Sequence, residues 1–172
     1  MNPHEPDPSA QEVEEAYAEH GDALFRFALR LLGCRDDAED LVVETFVHAH
    51  RRWDAFRGKG SRRAWLYGIA VNRARMARRR ARPTEALTDA IPQTGPDAMD
   101  LIALKDGIAS LPPKRREAFL LVKGEGLTAR EAAEALGRPV GTVLYEVHRA
   151  VQSLRIALGE GPLTNLLCEA ES

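Results

Sequence analysis

The sequence predicts an all-α protein made of two small helical domains joined by a flexible linker. Three observations carry that expectation. Apolar residues recur at three- and four-residue intervals through every long segment, and no segment shows the two-residue alternation of a strand. Between the two helical stretches lies PTEALTDAIPQTGPDAMD, residues 83–100, rich in Pro, Thr, Gly and Asp, which reads as a linker. The expected division is a first domain over 9–82, the linker over 83–100, a second domain over 101–158 and a tail over 159–172 that folding does not require, although Leu163, Leu166 and Leu167 are able to pack back. A chain of 172 residues is long enough for one domain or two small ones, each with a modest core.

Each element has local justification. Ser9 and Glu12 have capping-box spacing and open a first helix, in which Val13, Tyr17, Leu24, Ala28 and Leu31 recur at helical intervals before Gly33 stops it. Asp36 and Glu39 repeat the capping-box spacing ahead of DDAEDLVVETFVHAHRRWDAF. There Ala38, Leu41, Val42, Thr45, Phe46, Ala49, Trp53 and Phe56 form a broad apolar stripe. Asp40, Val43, Glu44 and Val47 fall on a neighbouring face that mixes carboxylates with outward valines. That pattern is either ordinary surface or a docking face for another protein. The glycines of RGKGS break the helical pattern, and Ser61 caps a third helix from Arg62 to Arg82, stopped by Pro83. Trp65, Leu66, Ile69, Ala70 and Met76 supply its packing side. The second half divides into four helices at Pro112–Pro113, Gly124–Gly126 and Gly137–Gly141.

The net charge of −2 conceals a strong segregation. Residues 1–25 carry seven acidic groups and no Lys or Arg, whereas Arg57, Lys59, Arg62, Arg63, Arg73, Arg75, Arg78, Arg79, Arg80 and Arg82 follow one another with no acid before Thr84. Like charges on one helix repel unless an anion neutralises them, so this stretch reads as a surface for a polyanion. Other classes are excluded. No apolar run approaches the ~18 residues of a membrane span, and MNPHEPDPSAQEVEE lacks the basic-then-apolar order of a secretory signal, so a cytoplasmic location is expected. Cys34 and Cys168 are isolated and read as reduced thiols. His4, His20, His48, His50 and His148 have no metal-ligand spacing, GKGS lacks the spacing of a phosphate loop, and no nucleophile and base can be grouped. Neither an enzyme nor a cofactor or metal site is expected.

The most specific local signal is LTAREAAEALGRPVGTVLYEVHRA. Thr128 and Glu131 form a capping box, Ala132 and Ala133 keep the short helix slim, Gly137 makes the turn, and Val143 and Val147 anchor the next helix. That is the pattern of a helix-turn-helix. Thr142, Leu144, Tyr145, His148, Arg149 and Gln152 are expected to face outward, with Arg149 the one strong cation among them and Glu146 an acid nearby. Lys114, Arg115, Arg116, Arg130, Arg138 and Arg155 stand close enough in sequence to add charge.

AEDLVVETF, AWLYGIAVN, LPPKRREAF and PVGTV, in that order and with a linker between the second and third, resemble a bacterial RNA polymerase sigma factor of the sigma-70 family. The resemblance is to the small extracytoplasmic-function group, which keeps only domains two and four, and it covers about residues 20–158. It implies that the chain performs no catalysis, binds core polymerase and directs promoter recognition and transcription initiation. By resemblance, Asp40, Val43, Glu44 and Val47 dock on the β′ clamp helices. Lys59, Gly60, Ser61, Arg62, Arg63, Asn72, Arg73, Arg75 and Arg79 handle the melted −10 element, the arginines neutralising phosphates and Trp65 or Tyr67 offering stacking faces, with Trp65 otherwise core. Thr142, Leu144, Tyr145, His148 and Arg149 correspond to the helix that reads the −35 element, and the same domain meets the β flap. Promoter DNA, core polymerase and an anti-sigma factor are the implied partners.

The sequence departs from the family's pattern in two places. Val43 stands where a polar residue is common. Leu144, Tyr145 and Glu146 stand where a basic, a small polar and a basic residue are usual, which removes two cations and adds an anion. The alternative reading is therefore a sigma-like regulatory interaction protein with degenerate −35 recognition, held by an anti-sigma partner.

Overall fold

The structure is a computed structural model in which residues 8–56, 60–80 and 98–159 are described. They form α1 (Pro8–Leu32), α2 (Arg35–Arg51), the short α3 (Trp53–Phe56), α4 (Arg62–Arg80), α5 (Ala98–Ser110), α6 (Pro113–Phe119) continued by a π turn (Leu120–Gly124), α7 (Ala129–Leu136) and α8 (Val140–Leu158). No strand occurs among the described residues. Lys59, the bulk of the expected linker, Cys168 and the leucines of the tail lie outside them; α5 begins at Ala98, so the last three residues assigned to the linker are helical.

Helix ends follow local chemistry, with two corrections. α1 begins at Pro8, which places Ser9 inside the helix, and the Glu12 carboxylate does not close a capping box but accepts a hydrogen bond from the indole Nε1 of Trp53. Gly33, at φ 79°, ends α1 with its N–H on the Leu29 carbonyl at 2.8 Å. Cys34 is then the one extended residue before α2, so the N-cap falls on it and not on Asp36. Asp36 and Asp37 sit in the first turn of α2, where its partial positive charge favours them, and Glu39 pairs with Arg35 at 2.8 Å. The stripe read as one helix breaks at Arg52, and the break turns Trp53 into the core against Trp65. Ser61 and Thr128 cap as expected. The Ser61 hydroxyl accepts from the Ala64 N–H at 3.2 Å, and Thr128 and Glu131 make both arms of the capping box, at 3.2 and 2.9 Å.

The first half packs α1, α2 and α4 around Leu24, Phe27, Leu31, Leu41, Phe46, Leu66 and Val71. The second packs α5 to α8 around Leu111, Phe119, Leu121, Leu136, Val143, Val151 and Leu154. Each such side chain contributes roughly 1.5–3 kcal/mol by leaving water. The two cores are continuous because α7 crosses α4 at Gly68, where a Cβ would come within 3.0 Å of the Ala135 carbonyl oxygen and 3.2 Å of its Cα. Arg116 ties the halves together elsewhere. Its guanidinium donates to the carbonyls of Leu31 (3.2 Å), Leu111 (3.1 Å) and Ala109, satisfying helix ends that would otherwise lack partners.

Candidate nucleic-acid interface

Along α2 the apolar stripe faces α1 and α4 and leaves the neighbouring face open. Val43 is 60% exposed and Val47 45%, with Asp40 and Glu44 exposed beside them. The four residues singled out from the sequence therefore do share one solvent-facing surface.

On α4 the guanidinium groups of Arg62, Arg63, Arg73, Arg75 and Arg78 have partners within the chain. Arg73 reaches back to Glu44 at 3.0 Å. Arg62 lies over the Trp53 ring, 5.2 Å from its centroid. Arg75 donates twice to Glu117, at 2.7 and 3.2 Å, and Arg78 approaches the same carboxylate at 3.4 Å. Arg138, from the turn before α8, donates to it at 2.7 Å. Glu117 is only 2% exposed. Its burial opposes ionisation, but the hydrogen bonds and charges of Arg75 and Arg138 outweigh that cost and hold its carboxyl below the ordinary 4.5. A second buried carboxylate, Glu125, accepts from the Tyr67 hydroxyl at 2.5 Å and from Arg30, with Arg63 at 3.8 Å. Tyr67 is thus enclosed, 2% exposed, and takes no part in base stacking. Burial, then the bond to Glu125, pushes its phenol above the ordinary 10.0. Trp65 is half-buried, edge-on to Trp53 and tilted against Phe56, which is the packing alternative. Asn72 and Arg79 are exposed.

Gly60, Ser61, Ala64, Trp65, Gly68 and Asn72 thus form a surface that faces α7. A cleft of about 480 Å³ remains between them, lined from α4 by Trp65, Ile69, Asn72 and Arg73 and from α7 by Glu134 and Ala135. His48 also lines it, its pKa lowered by burial and by Arg52, Arg73 and Arg51, so the ring there is neutral near pH 7. A second cleft, of about 530 Å³, gathers Arg75, Arg78, Arg79, Lys114, Arg115 and Arg138 around Glu117 and Glu146.

α8 presents Thr142, Leu144, Tyr145, His148 and Arg149 to solvent, with Val143 and Val147 buried beneath, as the spacing requires. Leu144 is 52% and Tyr145 58% exposed. Glu146 does not project toward this face unopposed, because Arg115 meets it at 3.4 Å. Of the supplementary cations, Arg116 and Arg138 are committed to internal carbonyls and to Glu117.

Sequence reasoning missed both buried glutamates. For Glu117 a signal existed: it stands three and four residues before Leu120 and Leu121, on the core face of its helix, where a charge demands a partner. Glu125 lies between two glycines outside any helical period and carried none.

Among the described residues no helix is long and apolar enough to cross a membrane. The chain matches the family Sigma-70 region 2 over residues 16–84 and Sigma-70, region 4 over residues 101–154. It is 36% identical over 154 residues to the ECF RNA polymerase sigma factor SigE of Mycolicibacterium smegmatis, a match covering 83% of this chain and 60% of that protein. It is 35% identical over 166 residues to an RNA polymerase sigma-E factor of Streptomyces avermitilis, covering 93% and 92%. Among solved structures it resembles the sigma factor RpoE of Bartonella quintana, in complex with the anti-sigma factor NepR (TM-score 0.74, 28% identity, 86% of this chain and 97% of that one). It also resembles CnrH in complex with the cytosolic domain of CnrY (TM-score 0.67, 26% identity, 95% and 91%).

Proposed function

The chain belongs to the extracytoplasmic-function group of the sigma-70 family, and on that premise we propose how its residues divide the work of a sigma factor, which binds core RNA polymerase and directs promoter recognition and transcription initiation. It does so without catalysing a reaction. Asp40, Val43, Glu44 and Val47 dock on the β′ clamp helices of the polymerase, carboxylates meeting cations while the two exposed valines lose water. Residues 9–82 carry the −10 function. There Arg62, Arg63, Arg73, Arg75 and Arg79 neutralise phosphates, Gly60 and Ser61 let backbone approach an extruded base, and Lys59 and Asn72 add contacts. Residues 101–158 carry the −35 function and the β-flap contact. Thr142, Leu144, Tyr145, His148 and Arg149 face the groove, reading it through apolar and aromatic contact more than through cations.

The observation that carries this division is the charge of the Arg57–Thr84 stretch, ten cations without an acid, seven of them on α4 beside the exposed α2 face. The RpoE–NepR and CnrH–CnrY complexes support a further assignment, an anti-sigma protein as this chain's partner. Because promoter recognition takes place on the chromosome, the working location is the cytoplasm. The test is run-off transcription with core polymerase on templates whose starts are mapped after overexpression. Discrete promoter-specific transcripts are expected, and their absence together with retained polymerase binding favours the interaction protein with degenerate −35 recognition, the reading that Leu144 and Tyr145 keep open.

A further inference from the structure

The second cleft holds more positive charge than the chain answers. Six cations line it: Arg75, Arg78 and Arg79 from α4, Lys114 and Arg115 from α6, and Arg138 from the turn before α8. Two carboxylates, Glu117 and Glu146, oppose them, which leaves a formal excess of four positive charges. Both carboxylates are already committed. Glu117, 2% exposed, has Arg75 and Arg138 each at 2.7 Å on one oxygen and Arg78 at 3.4 Å on the other. Glu146 has Arg115 at 3.4 Å. Arg79 and Lys114 are exposed, and neither forms an ion pair with a described residue. Arg78 keeps 46% of its side chain in solvent despite its contact with Glu117. Arg116 registers the same surplus: burial first, and then the charge of Arg78, lower its pKa from the ordinary value.

We propose that this cleft is a binding site for a small polyphosphate, a chain of linked phosphates as in inorganic triphosphate or a nucleoside triphosphate. Guanidinium forks and an ammonium group are the side chains suited to phosphate oxygens. Cations gathered in a hollow focus their field there. The volume, about 530 Å³, lies within the range of small-ligand pockets. Buried Glu117 holds Arg75 and Arg138 in place before a ligand arrives, so binding loses little side-chain freedom. Pro112 and Pro113 add an apolar wall against which a base is able to lie. A nucleic-acid strand spreads its charge along an extended backbone. These cations converge on one hollow from three parts of the chain, which suits a compact anion better. Arg75 and Arg79 are also assigned to the −10 strand. Resting on that reading, a bound polyphosphate and the promoter strand exclude each other, and the ligand lowers promoter binding in proportion to the sites it fills.

Isothermal titration calorimetry on the full chain tests the site with inorganic triphosphate, ATP and, for comparison, orthophosphate. One-to-one binding of triphosphate is expected, about tenfold or more tighter than orthophosphate, and weakened about tenfold or more by Arg79→Ala and by Lys114→Ala. Both side chains are exposed, so circular dichroism is expected to show unchanged helix content. Arg51→Ala, which removes an exposed cation outside the cleft, is expected to leave binding as in the wild type. Equal affinity for triphosphate and ATP assigns recognition to the phosphate chain alone, and tighter ATP binding adds the base against Pro112 and Pro113. Triphosphate binding no better than orthophosphate, or unaltered by both cleft substitutions, overturns the proposal. So does a response to Lys114→Ala confined to a single-stranded oligonucleotide, which gives the cleft to nucleic acid. Displacement of a labelled oligonucleotide by triphosphate, read by fluorescence anisotropy, tests the competition. Failure to displace it while triphosphate binds leaves the site standing and contradicts the assignment of Arg75 and Arg79 to the −10 strand.

Discussion

Glu117 is the residue on which most of the internal charge converges. A carboxylate that is 2% exposed persists in ionised form because Arg75, Arg78 and Arg138 surround it, and removing one member of such a group strands the others. Glu117→Ala is expected to lower stability by about 3–5 kcal/mol in chemical denaturation. The pH dependence has a definite sign. The folded-state pKa of Glu117 lies below its ordinary 4.5, so the unfolded chain binds the proton more readily. Its stabilising contribution is therefore complete above about pH 4.5 and is lost as pH falls through the lower folded value. Glu117→Gln is expected to flatten the acid limb of a stability profile below that point, relative to wild type. At this scale the sequence was informative about caps whose hydroxyl accepts from a backbone N–H, Ser61 and Thr128, and misleading for Ser9 and Asp36. At those positions Ser9 already lies within α1, and the N-cap of α2 falls on the single-residue joint at Cys34.

Elements were more legible than ends. The 3.6-residue period located the helices because one face of each is buried, and it placed Val43 and Val47 outside for the same reason. Since those valines are exposed, Val43→Asp with Val47→Asp is expected to leave the thermal midpoint nearly unchanged while weakening core-polymerase binding by about tenfold or more. A titration of labelled chain with core enzyme reads the second effect. A large stability loss would place the valines in the core and contradict the assignment. In α7, Thr128→Ala removes the hydroxyl arm of the capping box and is expected to cost about 1 kcal/mol, measurable by urea denaturation. In α8, Tyr145→Ala is expected to reduce discrimination between −35 sequences more than overall affinity. Tyr145 is exposed and uncharged, whereas Arg149 is the cation proposed for phosphate. The break between α2 and α3 escaped the periodicity because Trp53 keeps its apolar place on either side of it.

For the molecule as a whole, charge segregation was visible in the sequence, but its internal partners were not. The carboxylates that meet α4 lie between 29 and 62 residues from the arginines they bind, and no local pattern announces a contact at that separation. Nor does periodicity reveal that Gly68 is a crossing point, since a glycine in mid-helix looks the same whether or not a neighbour lies against it. What emerges is a basic helix whose Arg63, Arg73, Arg75 and Arg78 meet carboxylates within the chain, and for which promoter phosphates are the proposed alternative partners. The most direct measurement is permanganate reactivity of the −10 thymines in holoenzyme formed with wild-type chain and with the triple variant Arg62→Ala, Arg75→Ala, Arg79→Ala. The arginine ridge predicts strong reactivity with wild type and its loss in the variant while polymerase binding is retained. Equal strand opening by both would show that α4 does not hold the melted strand.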